Sequence, residues 1–66
     1  MTIRLNGEPY VLDAPLTVTE LLDRLRIDPR RVAVERNLVV VRRVSYPDTL
    51  INEGDEIEIV NFVGGG

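Results

Sequence analysis

The sequence predicts an α+β domain in which one mixed, five-stranded sheet carries a single main helix on one face. Three observations lead there. Apolar and polar residues alternate at both ends of the chain, and a capped amphipathic helix follows the early strands. One helix on one sheet is also the economical packing for the order strand, strand, helix, strand, strand, loop, strand. Because the helix interrupts the strands, the first and last are expected to pair in parallel near the sheet's centre.

Thr2 to Asn6 places Ile3 and Leu5 on one face, and Asn6-Gly7 is a strong hairpin signal. A second strand is expected at about Tyr10 to Asp13, bracketed by Pro9 and Pro15 where no ladder donor is needed. Thr17-Val18-Thr19-Glu20 reads as a capping box that starts the helix. Val18, Leu21, Leu22 and Leu25 fall at helical spacing on one stripe, and Asp28-Pro29 is the expected stop. Val32-Ala33-Val34 and Val39-Val40-Val41 predict a second hairpin across the polar break Glu35-Arg36-Asn37. Arg42 to Ile51 has no clear period and contains Pro47, which fits a connection with one short helical turn. Asn52-Glu53-Gly54-Asp55 reads as a turn, and Glu56 to Phe62 alternates as the last strand. The expected core is Ile3, Leu5, Val18, Leu21, Leu22, Leu25, Val32, Val34, Ile57 and Ile59.

Composition narrows the chemistry. With 66 residues, 44% of them hydrophobic and 29% charged, the chain suits one globular domain. Its longest apolar run, Leu38 to Val41, falls far short of the roughly 20 residues that cross a bilayer, so no membrane partner is expected. The absence of cysteine fits a reducing, cytoplasmic location better than a disulfide-stapled secreted domain. Cysteine and histidine are both missing, which removes the usual nucleophiles, general bases and zinc ligands and argues against an enzyme or a metal site. All eight basic residues are arginine, so there is no lysine for Schiff-base chemistry or for conjugation. Seven of those arginines lie in residues 24–43, while residues 44–66 carry five acids and no arginine. The net charge of −3 and the few aromatics argue against nucleic acid as the partner of that basic stretch.

The end of the chain asks for its own reason. Three of the five glycines are the last three residues. A chain with no Cβ can thread a narrow channel in another protein, and Val63 to Gly66 would reach roughly 14 Å beyond the last strand. This divides the chain into a domain of residues 1–62 and a flexible tail of residues 63–66. A free α-carboxylate, with a pKa of about 3.3–3.7, is ionised near neutrality and resists nucleophiles. To react, it must first be activated.

The order of elements, the segment Leu50-Ile51-Asn52-Glu53-Gly54-Asp55-Glu56-Ile57 and the ending Phe62-Val63-Gly64-Gly65-Gly66 resemble the sulfur-carrier proteins of thiamin-thiazole biosynthesis, the ThiS family. The resemblance implies a ubiquitin-like β-grasp fold. It further implies that an adenylating enzyme of the ubiquitin-activating type uses ATP to activate the Gly66 carboxylate, with no cofactor bound by the chain itself. Sulfur from a cysteine desulfurase or a persulfide donor would then give a thiocarboxylate, which thiazole synthase consumes. The chain departs from the family pattern at Glu35-Arg36-Asn37, where an Asn-Gly turn is common, and Tyr46 stands where a tryptophan often occurs. The small subunit of molybdopterin synthase, which also ends in Gly-Gly, is a second resemblance, and another thiocarboxylate sulfur donor is a further alternative. A ubiquitin-like binding module with an idle tail is the alternative from another class.

Strand parity adds a docking expectation. If Ile57 and Ile59 point inward, then Glu58, Val60 and Phe62 point outward, immediately before the tail residues Val63, Gly64 and Gly65. A twist or bulge after Ile59 would instead tuck Phe62 into the core. Glu53, Asp55, Glu56 and Glu58 would favour a basic partner surface.

Overall fold

Two-residue turns set both hairpins. In the computed structural model, which describes residues 1–62, β1 (Thr2–Leu5) and β2 (Glu8–Val11) are joined by Asn6 at φ 50° and Gly7 at φ 83°. Positive φ at both central residues is the geometry that matches strand twist in a tight hairpin. So short a turn starts β2 at Glu8 rather than at Tyr10, and Pro9 lies inside the strand opposite Arg4 instead of bracketing it. Proline is tolerated there because β2 is an edge strand.

A two-residue strand, β3 (Leu16–Thr17), leads into α1 (Val18–Arg24). The capping box is present: Glu20 N donates to Thr17 Oγ1 at 3.1 Å, and Thr17 N donates to Glu20 Oε1 at 2.8 Å. The helix ends before the expected Asp28-Pro29. Arg26 turns left-handed at φ 59°, Arg26 N donates to Asp23 O at 3.0 Å, and Ile27 N donates to Leu22 O at 2.9 Å. These are the paired bonds of a Schellman stop, here made without the usual glycine. Pro29–Arg31 then forms a 3₁₀ turn capped by Asp28.

The second hairpin joins β4 (Val32–Arg36) to β5 (Val39–Val41). Glu35 and Arg36 belong to the strand, and the turn is Asn37-Leu38, with φ 53° and 71°. Leucine rarely adopts that conformation, and Leu38 does so where its side chain is 81% exposed. A 3₁₀ segment over Arg43–Asp48 leads to β6 (Leu50–Ile51), which pairs antiparallel with β3. That small second sheet was not expected, because two-residue strands carry no readable period.

β7 (Glu56–Asn61) runs through the middle of the main sheet, whose order is β2-β1-β7-β4-β5. It pairs parallel with β1 and antiparallel with β4. This is the expected mixed five-stranded sheet with one main helix, the β-grasp arrangement. The core comprises Ile3, Leu12, Val18, Leu21, Leu22, Val32, Val34, Tyr46, Ile51 and Ile57. Leu5, Leu25 and Ile59, expected inside, are only partly buried against it, while Leu12, Tyr46 and Ile51 fill space that periodicity did not assign.

Asp55 ties the turn before β7 to the second hairpin. The residue is buried, 7% exposed, and its carboxylate accepts from Asn52 N at 2.8 Å, Arg36 Nε at 2.8 Å and Asn37 Nδ2 at 3.1 Å. Burial pushes this carboxyl up, but those three donors together hold it below the ordinary value of 3.8. A depressed folded pKa contributes stability that is present above the unfolded value and is lost as pH falls through the folded one. Thermal melting of the native chain should therefore fall as pH drops below 3.8, while Asp55→Asn should be flatter over that window. At neutral pH Asp55→Ala should cost about 2–3 kcal/mol, since it strands donors that had a charged acceptor. An equal acid slope in wild type and Asp55→Asn would contradict this account.

Candidate functional site

The expected reactive and channel residues, Val63, Gly64, Gly65 and Gly66, lie outside the described residues. What the structure positions is the strand that precedes them in sequence. On one side β7 is paired with β4 to its end, with Val32 opposite Asn61, and Phe62 N donates to Arg31 O at 2.9 Å. On the other side β1 turns away at Asn6. The Asn6 side chain takes over: Ile59 N donates to Asn6 Oδ1 at 2.7 Å, and Asn6 Nδ2 donates to Ile59 O at 3.3 Å. Beyond Ile59, no described strand covers that edge, so the approach to the tail is held along one side and open along the other.

Parity along β7 is as expected. Ile57 is buried, Ile59 half-buried, and Glu58, Val60 and Phe62 are exposed. Phe62 is 51% exposed and Val60 59%, so the strand does not tuck Phe62 into the core. Val60 sits opposite Ala33, and Glu58 sits opposite Glu35, itself opposite Val40. The outer face therefore sets an apolar strip beside two like charges, an arrangement that costs stability. The expected acidic surface is smaller than the sequence suggested. Asp55 is buried, and the Glu53 carboxylate accepts from Thr2 N at 3.0 Å.

Sequence reasoning did not place Asn6 or the arginines around the tail root. Asn6 was legible as a turn residue, but its bond to Ile59 spans 53 positions and left no local signal. Among the described residues no three His, Cys, Asp or Glu side chains gather as a metal site, and no helix is long and apolar enough to cross a membrane.

Comparison with known proteins agrees with the geometry. The chain is 48% identical over its 66 residues to a thiazole synthase of Paramagnetospirillum magneticum, of which it spans only 20% of the length. It is 38% identical over 50 residues to the sulfur carrier protein ThiS of Bacillus subtilis, covering 76% of each chain. The crystal structure of a thiamine biosynthesis protein (ThiS) from Geobacter metallireducens superposes with a TM-score of 0.88 at 38% identity, over the full length of both chains. The ThiS family pattern matches residues 3–66, running through the described strand and the terminal glycines, and on that match the chain belongs to the ThiS family.

Proposed function

We propose that this protein is a cytoplasmic sulfur carrier whose Gly66 carboxylate is converted to a thiocarboxylate for assembly of the thiamin thiazole. The observation that carries this reading is that the family match extends to Gly66, on a fold whose last strand ends at Asn61, five residues before it. The chain binds no cofactor of its own in this scheme. The Gly66 carboxylate attacks the α-phosphorus of ATP held by an adenylating enzyme of the ubiquitin-activating type, forming the acyl adenylate and releasing pyrophosphate. The terminal sulfur of a persulfide, supplied by a cysteine desulfurase or its relay, then attacks the acyl carbon and expels AMP. A thiol cleaves the resulting acyl disulfide, taking the outer sulfur into a new disulfide and leaving the thiocarboxylate.

Thiazole synthase is the proposed acceptor. Support comes from proteins of that name in Paramagnetospirillum magneticum and Magnetococcus marinus, each of which contains a region 48% identical to this whole chain. The test is the intact mass of the protein after incubation with its adenylating enzyme, ATP and a persulfide donor. A species heavier by sulfur in place of one oxygen is expected, and an unchanged mass beside an active enzyme would overturn the reading.

Val60, Phe62 and Glu58 are proposed to seat the carrier on that enzyme while Val63, Gly64 and Gly65 thread its channel. Exposed apolar side chains beside a reactive tail suit an interface anchor. Val60→Ser/Phe62→Ser should lower kcat/KM for adenylation by about tenfold, the loss of roughly 1.4 kcal/mol of binding, with melting unchanged. Lowered melting with normal adenylation would instead assign Phe62 to packing.

A further inference from the structure

The fold gathers four of the seven arginines of residues 24–43 at one end of the sheet. Arg30 and Arg31 immediately precede β4, and Arg42 and Arg43 immediately follow β5. Since β4 and β5 are antiparallel, with Val34 opposite Val41, both arginine pairs lie at the same end. The antiparallel pairing of β4 with β7 brings the end of β7 there too, with Val32 opposite Asn61. Contacts tighten the cluster: Arg31 O accepts from Phe62 N at 2.9 Å, and Arg43 Nη2 donates to Arg30 O at 3.3 Å. The exposed acids of β7, Glu56 and Glu58, lie toward the other end.

These arginines are not equivalent. Arg30 is neutralised by Asp28, whose carboxylate accepts from its Nε at 3.1 Å and its Nη2 at 2.9 Å. Arg31 lies 4.0 Å from the same carboxylate with its side chain 82% exposed. Arg42 and Arg43 make no ion pair among the described residues. Three cations thus stand around the strand end with little internal compensation, in a protein whose net charge is −3. Structural pairing does not account for them.

We propose that Arg31, Arg42 and Arg43 form a cationic collar that seats on a carboxylate-rich rim around the tail channel of the adenylating enzyme. The proposal rests on the carrier function argued above and names the partner chemistry that it requires. An extended polyanion fits less well, because a strand of phosphates continuing along the outer sheet face would meet Glu58 and Glu35. The adenylating enzyme can confine its carboxylates to the collar and cover Val60, Phe62 and Glu58 with surface of other character, which a uniform run of phosphates cannot. Charges at an interface rim act mainly on encounter and on its salt dependence.

The test is steady-state adenylation of the full chain by its adenylating enzyme, read as pyrophosphate release at about 0.05 M and about 0.5 M ionic strength. Arg31→Glu/Arg43→Glu is expected to lower kcat/KM at least tenfold at low salt, through KM, with kcat nearly unchanged. Wild type should slow as salt rises, and the variant should not. Arg24→Glu, which sits against Asp13 at the far end of the sheet, makes a charge change of the same sign and should have little effect. Where reversal lowers melting, Arg42→Gln/Arg43→Gln serves with a smaller change in the same direction. Equal rates and salt slopes for collar variant and wild type would overturn the collar alone, as would an equal loss in Arg24→Glu. So would collar-dependent retention on heparin with unchanged adenylation, which would assign the patch to a polyanion. A wild-type chain that is never adenylated would overturn the carrier function itself.

Discussion

Protein amidated at Gly66, or extended by one residue beyond it, is expected to gain no sulfur while melting at the wild-type temperature. The amide has no anionic oxygen to attack ATP, so the acyl adenylate cannot form. The extension keeps a carboxylate but moves it by about 3.3–3.6 Å, and in a channel that fixes the reacting atoms a displacement of about 1 Å can cost 100-fold. Neither change touches a described residue, which is why stability should hold. The side chains offer no substitute route, because the chain contains no cysteine, histidine or lysine. Intact-mass analysis after incubation with enzyme, ATP and persulfide donor reads the result. A thiocarboxylate formed at the wild-type rate on the blocked chain would end the mechanism. A chain lacking Gly65 and Gly66 that kept its full biological activity would assign it to the binding modules.

What the sequence made legible follows from how far each signal reaches. The Asn6-Gly7 turn, the Thr17–Glu20 capping box and the parity of β7 are written in residues a few positions apart, and each appears as expected. The helix stops at Arg24, short of Asp28-Pro29, because Arg26 adopts the left-handed conformation that usually advertises itself as glycine. Tyr46 and Ile51 carry no local core signal for a different reason. They enter the core from a 3₁₀ segment and a two-residue strand, where burial is decided by what lies across the fold rather than by a repeat. The candidate site shows the same division. Alternation pointed Glu58 and Val60 outward but left Phe62 open to a bulge into the core, whereas the collar of Arg31, Arg42 and Arg43 exists only once β4, β5 and β7 are brought side by side. Charge segregation in the sequence was visible, and the topology brings four of its arginines to one end of the sheet.

Ile57→Ala is expected to remove much of the domain's stability. Ile57 is 1% exposed, lies opposite Leu5 on one neighbour and Arg36 on the other, and its carbonyl accepts from Asn6 N at 2.9 Å. Truncating a buried isoleucine costs about 2–5 kcal/mol, the transfer loss plus the cavity left behind. At roughly 0.05–0.15 kcal/mol per residue the whole domain is worth about 3–10 kcal/mol, so the variant should unfold at far lower urea and at a lower temperature. Ile57→Val keeps most of the volume and should cost only about 0.5–1.5 kcal/mol. Val60→Ser, one layer away but on the exposed face, should stay within about 0.5 kcal/mol of wild type. A urea midpoint for Ile57→Ala equal to that of Val60→Ser would mean that the inward and outward faces of β7 have been exchanged. The adenylation assay separates this from docking. At temperatures where Ile57→Ala is still folded, its outer face is unchanged and it should load at the wild-type rate, whereas the Val60 and Phe62 variant should load slowly at every temperature.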